Sequence, residues 1–309
     1  IYLGVYYIKD VNETIRQMVD KVSLVIMKSK GNMSNYILYY DENSYRNDIF
    51  KQQLIGEFET ALNENQFCMY LQPQTDKDGN MLGAEALIRW NHPNMGLIMP
   101  GAFIECFEDA GLIYRLDNYI WEEAAKQLKT WKDSGYNYYI SVNISAKDFY
   151  HIDVYQTFKN LVSEYGIDTD KLHIEITETA LSEDKQEAHK TIERLHDEGF
   201  IIEIDDFGSG YSSFNFLKDV CADVIKIDRV FLKKSSHEER GEQILRSIIS
   251  LSHDIGMDVI TEGVENVDQL SMLAKMNCDW FQGYYFSKPV TVGDFEEKYG
   301  IKYKINNNA

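Results

Sequence analysis

Glu85, Asn143, Glu175, Glu178, Asp205, Asp206, Lys226, Glu262, Glu265 and Gln282 recur at the ends of short apolar stretches, in GAEALIRW, SVNIS, HIEITET, EIDDFGSG, VIKIDR, ITEGVEN and WFQGYY. A single carboxylate at a strand end caps the next helix or pairs with a lysine as readily as it does chemistry. Seven consecutive stretches ending this way are different. Five carboxylates (Glu85, Glu175, Asp205, Asp206, Glu262) gathered beside Lys226 would repel strongly, and burying unpaired charge costs on the order of several kcal/mol per ion. Cations must supply the balance. Oxygen donors without His or Cys favour hard ions such as Mg²⁺ or Mn²⁺, and adjacent Asp205 and Asp206 can splay to serve two of them. Two metals roughly 3.5–4 Å apart, with a shared water attacking phosphorus in line, are the standard device for phosphodiester cleavage.

Lys226 lies inside an apolar run, where it is either a buried counter-charge or the group that orients the water and stabilises charge; both roles are compatible. Arg89, four residues past Glu85, suits a bidentate grip on a phosphate oxygen and equally suits a surface ion pair. Gly208-Ser209-Gly210-Tyr211-Ser212-Ser213 resembles a phosphate cradle only superficially. A flexible loop that moves Asp206 in and out of metal range is the preferred reading. Glu178 then holds that loop by accepting backbone hydrogen bonds; the alternative is an acid favoured by a helix N-terminus.

Positioning these groups requires strands ending on one rim. The spacing predicts strands at about 67–73, 82–89, 138–144, 171–177, 200–205, 223–228, 258–262 and 280–285, and helices at about 101–111, 115–134, 152–165, 184–198, 238–255 and 265–276. This alternation is expected of an α/β protein with a (β/α)8 TIM-like barrel, a doubly wound sheet being the alternative. The first two strands, joined by Asp76-Lys77-Asp78-Gly79-Asn80, read as a hairpin, so one strand runs antiparallel to the rest. A helix with apolar Phe50, Leu54, Phe58 and Leu62 leads into the barrel. Before it come a β-like run at 2–8, an amphipathic stretch at 11–27, a Gly31-Asn32 turn and an apolar run at 36–40, a βαβ piece too small for its own core. Glu42 to Asp48 reads as a polar connector. The expected domains are 1–46, 47–300 for the barrel, and a polar tail at 301–309.

The 309 residues, with 44% apolar and 26% charged, are those of an ordinary globular protein. No apolar run approaches the roughly 18 residues of a membrane span, so no membrane contact is expected from this chain. The four cysteines are widely spaced and form no C-x-x-C, which fits a reduced, cytoplasmic setting; a membrane anchor upstream of Ile1 is compatible with it. A formal net charge of −19 repels polyanions and argues against extended nucleic acid as a partner.

From about Phe50 to Lys298 the motifs resemble the EAL-domain family of cyclic di-GMP phosphodiesterases: Gln72-Pro73, Glu85-Ala86-Leu87, Arg89-Trp90 with His92-Pro93, Pro100-x-x-Phe103, Asn143, Glu175-x-Thr177-Glu178, Asp205-Asp206-Phe207-Gly208, Lys226-Ile227-Asp228, Glu262-Gly263-Val264-Glu265 and Gln282-Gly283. The resemblance implies metal ligation by Glu85, Asn143, Glu175, Asp205, Asp206 and Glu262, with two Mg²⁺ or Mn²⁺ ions per site. It places Lys226 on the nucleophilic water and Glu178 on the loop after Asp206. It also implies substrate contacts from Gln72, Arg89, Leu87, Asn143, Asp228, Glu265 and Gln282. The implied product is linear pGpG and the implied assembly a homodimer through the EAL domain. Gly208-Ser209-Gly210 departs from the family's usual Gly-Thr-Gly but keeps the hydroxyl. The N-terminal piece, with Asp20-Lys21 on its helix and Tyr39-Tyr40-Asp41 after its last strand, looks like the closing segment of a GGDEF domain without that domain's signature loop. Two rivals stand beside this: a catalytically dead EAL receptor, which would be expected to lack ligands that are all present here, and a metal-dependent barrel enzyme using Lys226 as a proton-abstracting base on a carbonyl substrate.

Overall fold

The computed structural model describes residues 3–28, 37–181, 186–208, 217–218, 220–232 and 238–302. They fall into two units, Ile1–Thr60 and Ala61–Ala309. In the first, strand β1 (Leu3–Val5) pairs in parallel with β2 (Ile37–Tyr39), and a helix over Ile15–Lys28 lies between them in the chain. Gly4 lets that helix approach closely, because a Cβ there would stand 2.8 Å from Val22 Cγ1. The expected Gly31-Asn32 turn lies outside the described residues.

The predicted connector is helical. Helix Glu42–Asn63 begins where the polar stretch was expected to be irregular. Asp41 Oδ2 accepts the Ser44 amide at 2.8 Å, which caps an otherwise orphaned N–H, and Arg46 pairs with Glu42 one turn away at 2.7 Å. Polarity alone misled, since Glu42 and Arg46 are good helix formers. The border between the two compact units, Thr60/Ala61, falls inside this helix.

In the second unit eight strands close into a barrel: β3 (Phe67–Thr75), β4 (Met81–His92), β6 (Tyr139–Ile144), β7 (Leu172–Thr177), β8 (Ile202–Phe207), β9 (Val224–Ile227), β10 (Asp258–Thr261) and β11 (Trp280–Gln282). Short strands β5 (Gly96–Ile98) and β12 (Val290–Thr291) add to β4 and β3. Strand β3 is antiparallel to both its barrel neighbours, β4 and β11, while all other barrel pairs are parallel. The α/β barrel with one reversed strand is thus present.

The expected 101–111 helix divides into a 3-10 turn at Pro100–Ala102 and a helix at Ile104–Asp109. Helices over Ile113–Asp133, Val154–Tyr165, Gln186–Asp197, Glu238–Asp254 and Val267–Lys275 match the periodic segments to within a few residues. Successive side chains of a strand point to opposite faces. One alternating set (Ile140, Val142, Ile144, Ile174, Ile176, Ile202, Ile204, Ile225, Ile227) joins the apolar cluster. The other set holds buried polar residues: Gln72, Gln74, Glu85, Ser141, His173, Glu175, Glu203 and Lys226. A barrel interior is ordinarily filled by branched apolar residues. This one is polar.

Candidate active site

Lys226, on the short strand β9, is fully buried, and four carboxylates from four other parts of the barrel meet its ammonium. Glu175 Oε2 lies at 2.6 Å, Glu262 Oε1 at 2.8 Å, Asp205 Oδ1 at 3.2 Å and Glu85 Oε2 at 3.4 Å from Nζ. Burial disfavours the charged lysine, but the carboxylates of Asp205, Glu175, Glu262 and Glu85 outweigh it and hold the ammonium well above its ordinary pKa. Burial pushes the Glu175 carboxyl well up, reinforced by Glu85, and pushes Glu262 to about 8 against the pull of Lys226.

The register explains the convergence. Asn143 stands across from Glu175, Glu175 from Glu203, and Thr177 from Asp205, so these strand ends share one rim. Between Ile204 and Phe207, β8 spans one residue more than β9 does between Ile225 and Ile227. Such a bulge re-aims side chains. Asp206 sits in it with φ +54°, and so the adjacent aspartates do not alternate as a regular strand would have them. Asp206 is exposed beside the four, and its carboxyl is raised by burial of its surroundings and by Asp205 and Asp228.

One ammonium cannot balance four ionised carboxylates, and buried Glu175 Oε1 has no hydrogen-bond partner. Oxygen-only donors with surplus charge and an orphaned acceptor fit hard divalent cations. Among the described residues no three His, Cys, Asp or Glu side chains already close on a metal-sized centre; the Lys226 ammonium is what the carboxylates converge on.

Asn143 Nδ2 donates to Glu85 Oε1 at 3.2 Å, and Gln282 Nε2 to Glu85 Oε2 at 2.6 Å and to Gln72 Oε1 at 3.2 Å. Gln72, Asn143 and Gln282 therefore gather with Glu85. Arg89 is buried rather than a surface ion-pair partner: its guanidinium lies 5.5 Å from the Tyr70 ring centre and donates to Ile88 O at 2.7 Å. Asp228 accepts the Val230 amide at 2.7 Å, and Glu265 is exposed. Glu178 opens a 3-10 turn directly after β7. Gly208 is described and Ser209 to Ser213 lie outside the described residues.

Beside Leu87 and Asn143 opens a cavity of about 470 Å³, lined mostly by apolar residues, with Glu108, Asp117, Ser145, Thr177 and Thr179 as its other polar members. Fully buried Asp148 accepts the Ser145 amide at 2.8 Å, and Ser145 Oγ donates to Glu108 at 2.6 Å. Burial raises Asp148 to about 7, and burial with the neighbouring Asp148 raises Asp117 well above the carboxylate range. Neither this wall nor the polar floor formed by Gln74, Tyr139, His173 and Glu203 figures among the residues expected from sequence. The signal was available: Tyr139, His173 and Glu203 each lie two or four residues before a rim residue of their own strand, on the same face.

The EAL domain profile matches residues 55–289. The chain is 33% identical over 282 residues to the signaling protein YkoW of Bacillus subtilis, covering 91% of this chain and 35% of that protein. It is 30% identical over 280 residues to the bifunctional diguanylate cyclase/cyclic di-GMP phosphodiesterase MucR of Pseudomonas aeruginosa, covering 90% and 41%. The chain thus spans well under half of these relatives' length. Among solved structures, the PaMucR phosphodiesterase in complex with c-di-GMP superposes with a TM-score of 0.74 at 33% identity, covering 79% of this chain and 99% of that one. The match takes in every barrel strand and the carboxylate cluster around Lys226, and on that ground the chain belongs to the EAL domain family.

Proposed function

We propose that this chain is a metal-dependent cyclic di-GMP phosphodiesterase that opens its substrate to linear pGpG. The observation that carries the reading is the convergence of Glu85, Glu175, Asp205 and Glu262 on buried Lys226, at the rim beside the cavity. Glu85, Asn143, Glu175, Asp205, Asp206 and Glu262 would hold hard divalent cations, Mg²⁺ or Mn²⁺, two per site. When bound, such cations acidify a water and offset phosphate charge.

Lys226 stays an ammonium, orients the attacking water and offsets charge growing on the phosphoryl oxygens. Arg89 binds a phosphate oxygen, its buried guanidinium held in place by Ile88 O and the Tyr70 ring. Gln72 and Gln282 hold the substrate and Glu85 in place. Leu87 offers an apolar surface to a base, while Glu108 and Asp117 supply acceptors suited to the N–H donors on a guanine edge. Glu178 anchors the loop after Asp206, and Asp228 and Glu265 support that side of the rim. The family resemblance carries into this reading a homodimer formed through the barrel unit and a GGDEF-like origin for residues 1–46, and the widely spaced cysteines carry a cytoplasmic location.

Incubating the intact chain with cyclic di-GMP and Mg²⁺ or Mn²⁺ and following linear product by chromatography tests it. Turnover that needs the metal is expected, with kcat lowered about 10²–10⁴-fold in Lys226→Ala and in Asp205→Asn. Tight binding without turnover by the wild-type chain would overturn the enzyme reading and leave a receptor.

A further inference from the structure

Under the rim, four side chains on four strands are joined head to tail. The Tyr139 hydroxyl donates to Gln74 Oε1 at 2.6 Å, Gln74 Nε2 donates to Gln282 Oε1 at 2.9 Å, and Gln282 Nε2 donates to Glu85 Oε2 at 2.6 Å. Gln74 and Gln282 are direct partners across β3 and β11, and Tyr139 is the partner of Gly83, itself opposite Gln74. All of these side chains are buried, so water does not compete for their polar atoms.

A primary amide is two-faced, with an accepting oxygen at one end and a donating nitrogen at the other. A chain of two amides therefore has two self-consistent polarities. In one, Gln282 turns its NH₂ toward Glu85. In the other it turns its carbonyl oxygen, which repels a carboxylate and drives the Glu85 side chain off position. Acceptors at the Gln282 end select the first: the Glu85 carboxylate, and Gln72 Oε1, whose own Nε2 is turned to Ser287 O at 3.2 Å; the Tyr139 hydroxyl, by donating to Gln74 Oε1, anchors the far end of the chain.

The seat of that phenol is built for it. Its ring stacks on His173 with centroids 3.9 Å apart and planes 3° from parallel. On another side it lies against Gly83, where a Cβ would stand 2.5 Å from Tyr139 Cγ, so any larger residue would displace the ring. His173 is itself fixed, with Nδ1 2.6 Å from Glu203 Oε1 and Nε2 3.2 Å from the Asp170 carbonyl.

We infer that Tyr139 and Gln74 are positioning residues of this site: the Tyr139 hydroxyl anchors the far end of a Gln74–Gln282 amide relay that keeps Glu85 oriented for cation binding. The inference rests on the reading of Glu85 as a metal ligand. Neither residue touches substrate or the reacting atoms; both act through Gln282.

Titration of Mn²⁺ into the intact chain, followed by the electron paramagnetic resonance of free Mn²⁺, tests the relay separately from turnover. Outer partners of metal ligands typically change metal affinity 10–100-fold. Tyr139→Phe, which removes only the hydroxyl, is expected to weaken Mn²⁺ binding about tenfold and to lower kcat in step, with KM for cyclic di-GMP within about twofold. Gln74→Met, which cuts the relay in the middle, gives the same loss. In a Gln282→Leu background Tyr139→Phe has no further effect, as residues of one network require. Unchanged Mn²⁺ affinity in a folded Tyr139→Phe, whatever happens to its melting temperature, overturns the relay. So does an undiminished tenfold effect in the Gln282→Leu background. A wild-type chain that binds no Mn²⁺ overturns the metal reading of the site and the relay with it, whereas Mn²⁺ binding without hydrolysis removes only the enzyme reading and leaves the affinity comparison decisive.

Discussion

At the scale of single residues, identity and environment divide the work. Lys226 and the carboxylates were legible because each sits at the end of an apolar run, where any strand would expose a terminal side chain on a rim. The cavity wall was not, because Glu108, Asp117 and Asp148 come from helical segments 31 residues apart between Asp117 and Asp148 and meet only when the segments pack. Asp117 faces the cavity with Leu87, so its contribution belongs to substrate affinity. Its carboxyl, kept protonated by burial beside Asp148, retains one accepting oxygen, and replacing it by Leu removes that acceptor at similar volume. Asp117→Leu is expected to raise KM for cyclic di-GMP about tenfold or more, near the 1–3 kcal/mol of an unsatisfied buried polar group, with kcat changed far less. Steady-state kinetics on the variant decide it; an unchanged KM removes the base from this cavity.

At the scale of elements, the rim depends on close backbone approaches that glycine makes possible. The loops after β10 and β11 are laced together: the Val264 amide donates to Gln282 O at 3.0 Å, and the Tyr285 amide to Val264 O at 2.9 Å. A Cβ at Gly283 would stand 2.1 Å from Val264 O, a backbone atom with nowhere to move. Gly283→Ala is therefore expected to cost more than about 3 kcal/mol, at the upper end for overpacking, and to shift Gln282 with it. A thermal melt should show a drop of several degrees; a variant that melts with the wild type contradicts the packing. The bulge in β8 is another element-scale device, and the sequence showed its residues without showing that they break register. Polarity likewise hid the helix that starts at Glu42, since the cap from Asp41 is a hydrogen bond and not a composition.

At the scale of the whole molecule, acidic groups buried at several places make folding stability depend on pH. Folding raises the Asp148 carboxyl from 3.8 to about 7, and that of Glu262 from 4.5 to about 8. The fold favours their protonated forms, so this stabilisation is complete below about pH 4 and is lost as pH rises through about 7 to 8. The metal-free chain is expected to melt at progressively lower temperature from about pH 5 to pH 8, with part of that slope removed in Asp148→Asn; a slope of the opposite sign, measured by calorimetry in chelator, contradicts it. The sequence by itself determined the family, the alternation of strands and helices, the reversed first barrel strand and which acidic and amide residues end the strands, because these are written in local periodicity and in motifs a few residues long. Only the tertiary structure decided that the barrel interior is polar down to its floor, that four carboxylates meet on one ammonium, and that Tyr139 reaches Glu85 through two amides. Those facts depend on strand register and closure, which bring together residues as far apart as Gln74 and Gln282, 208 positions along the chain, and no local pattern encodes which of them will face each other.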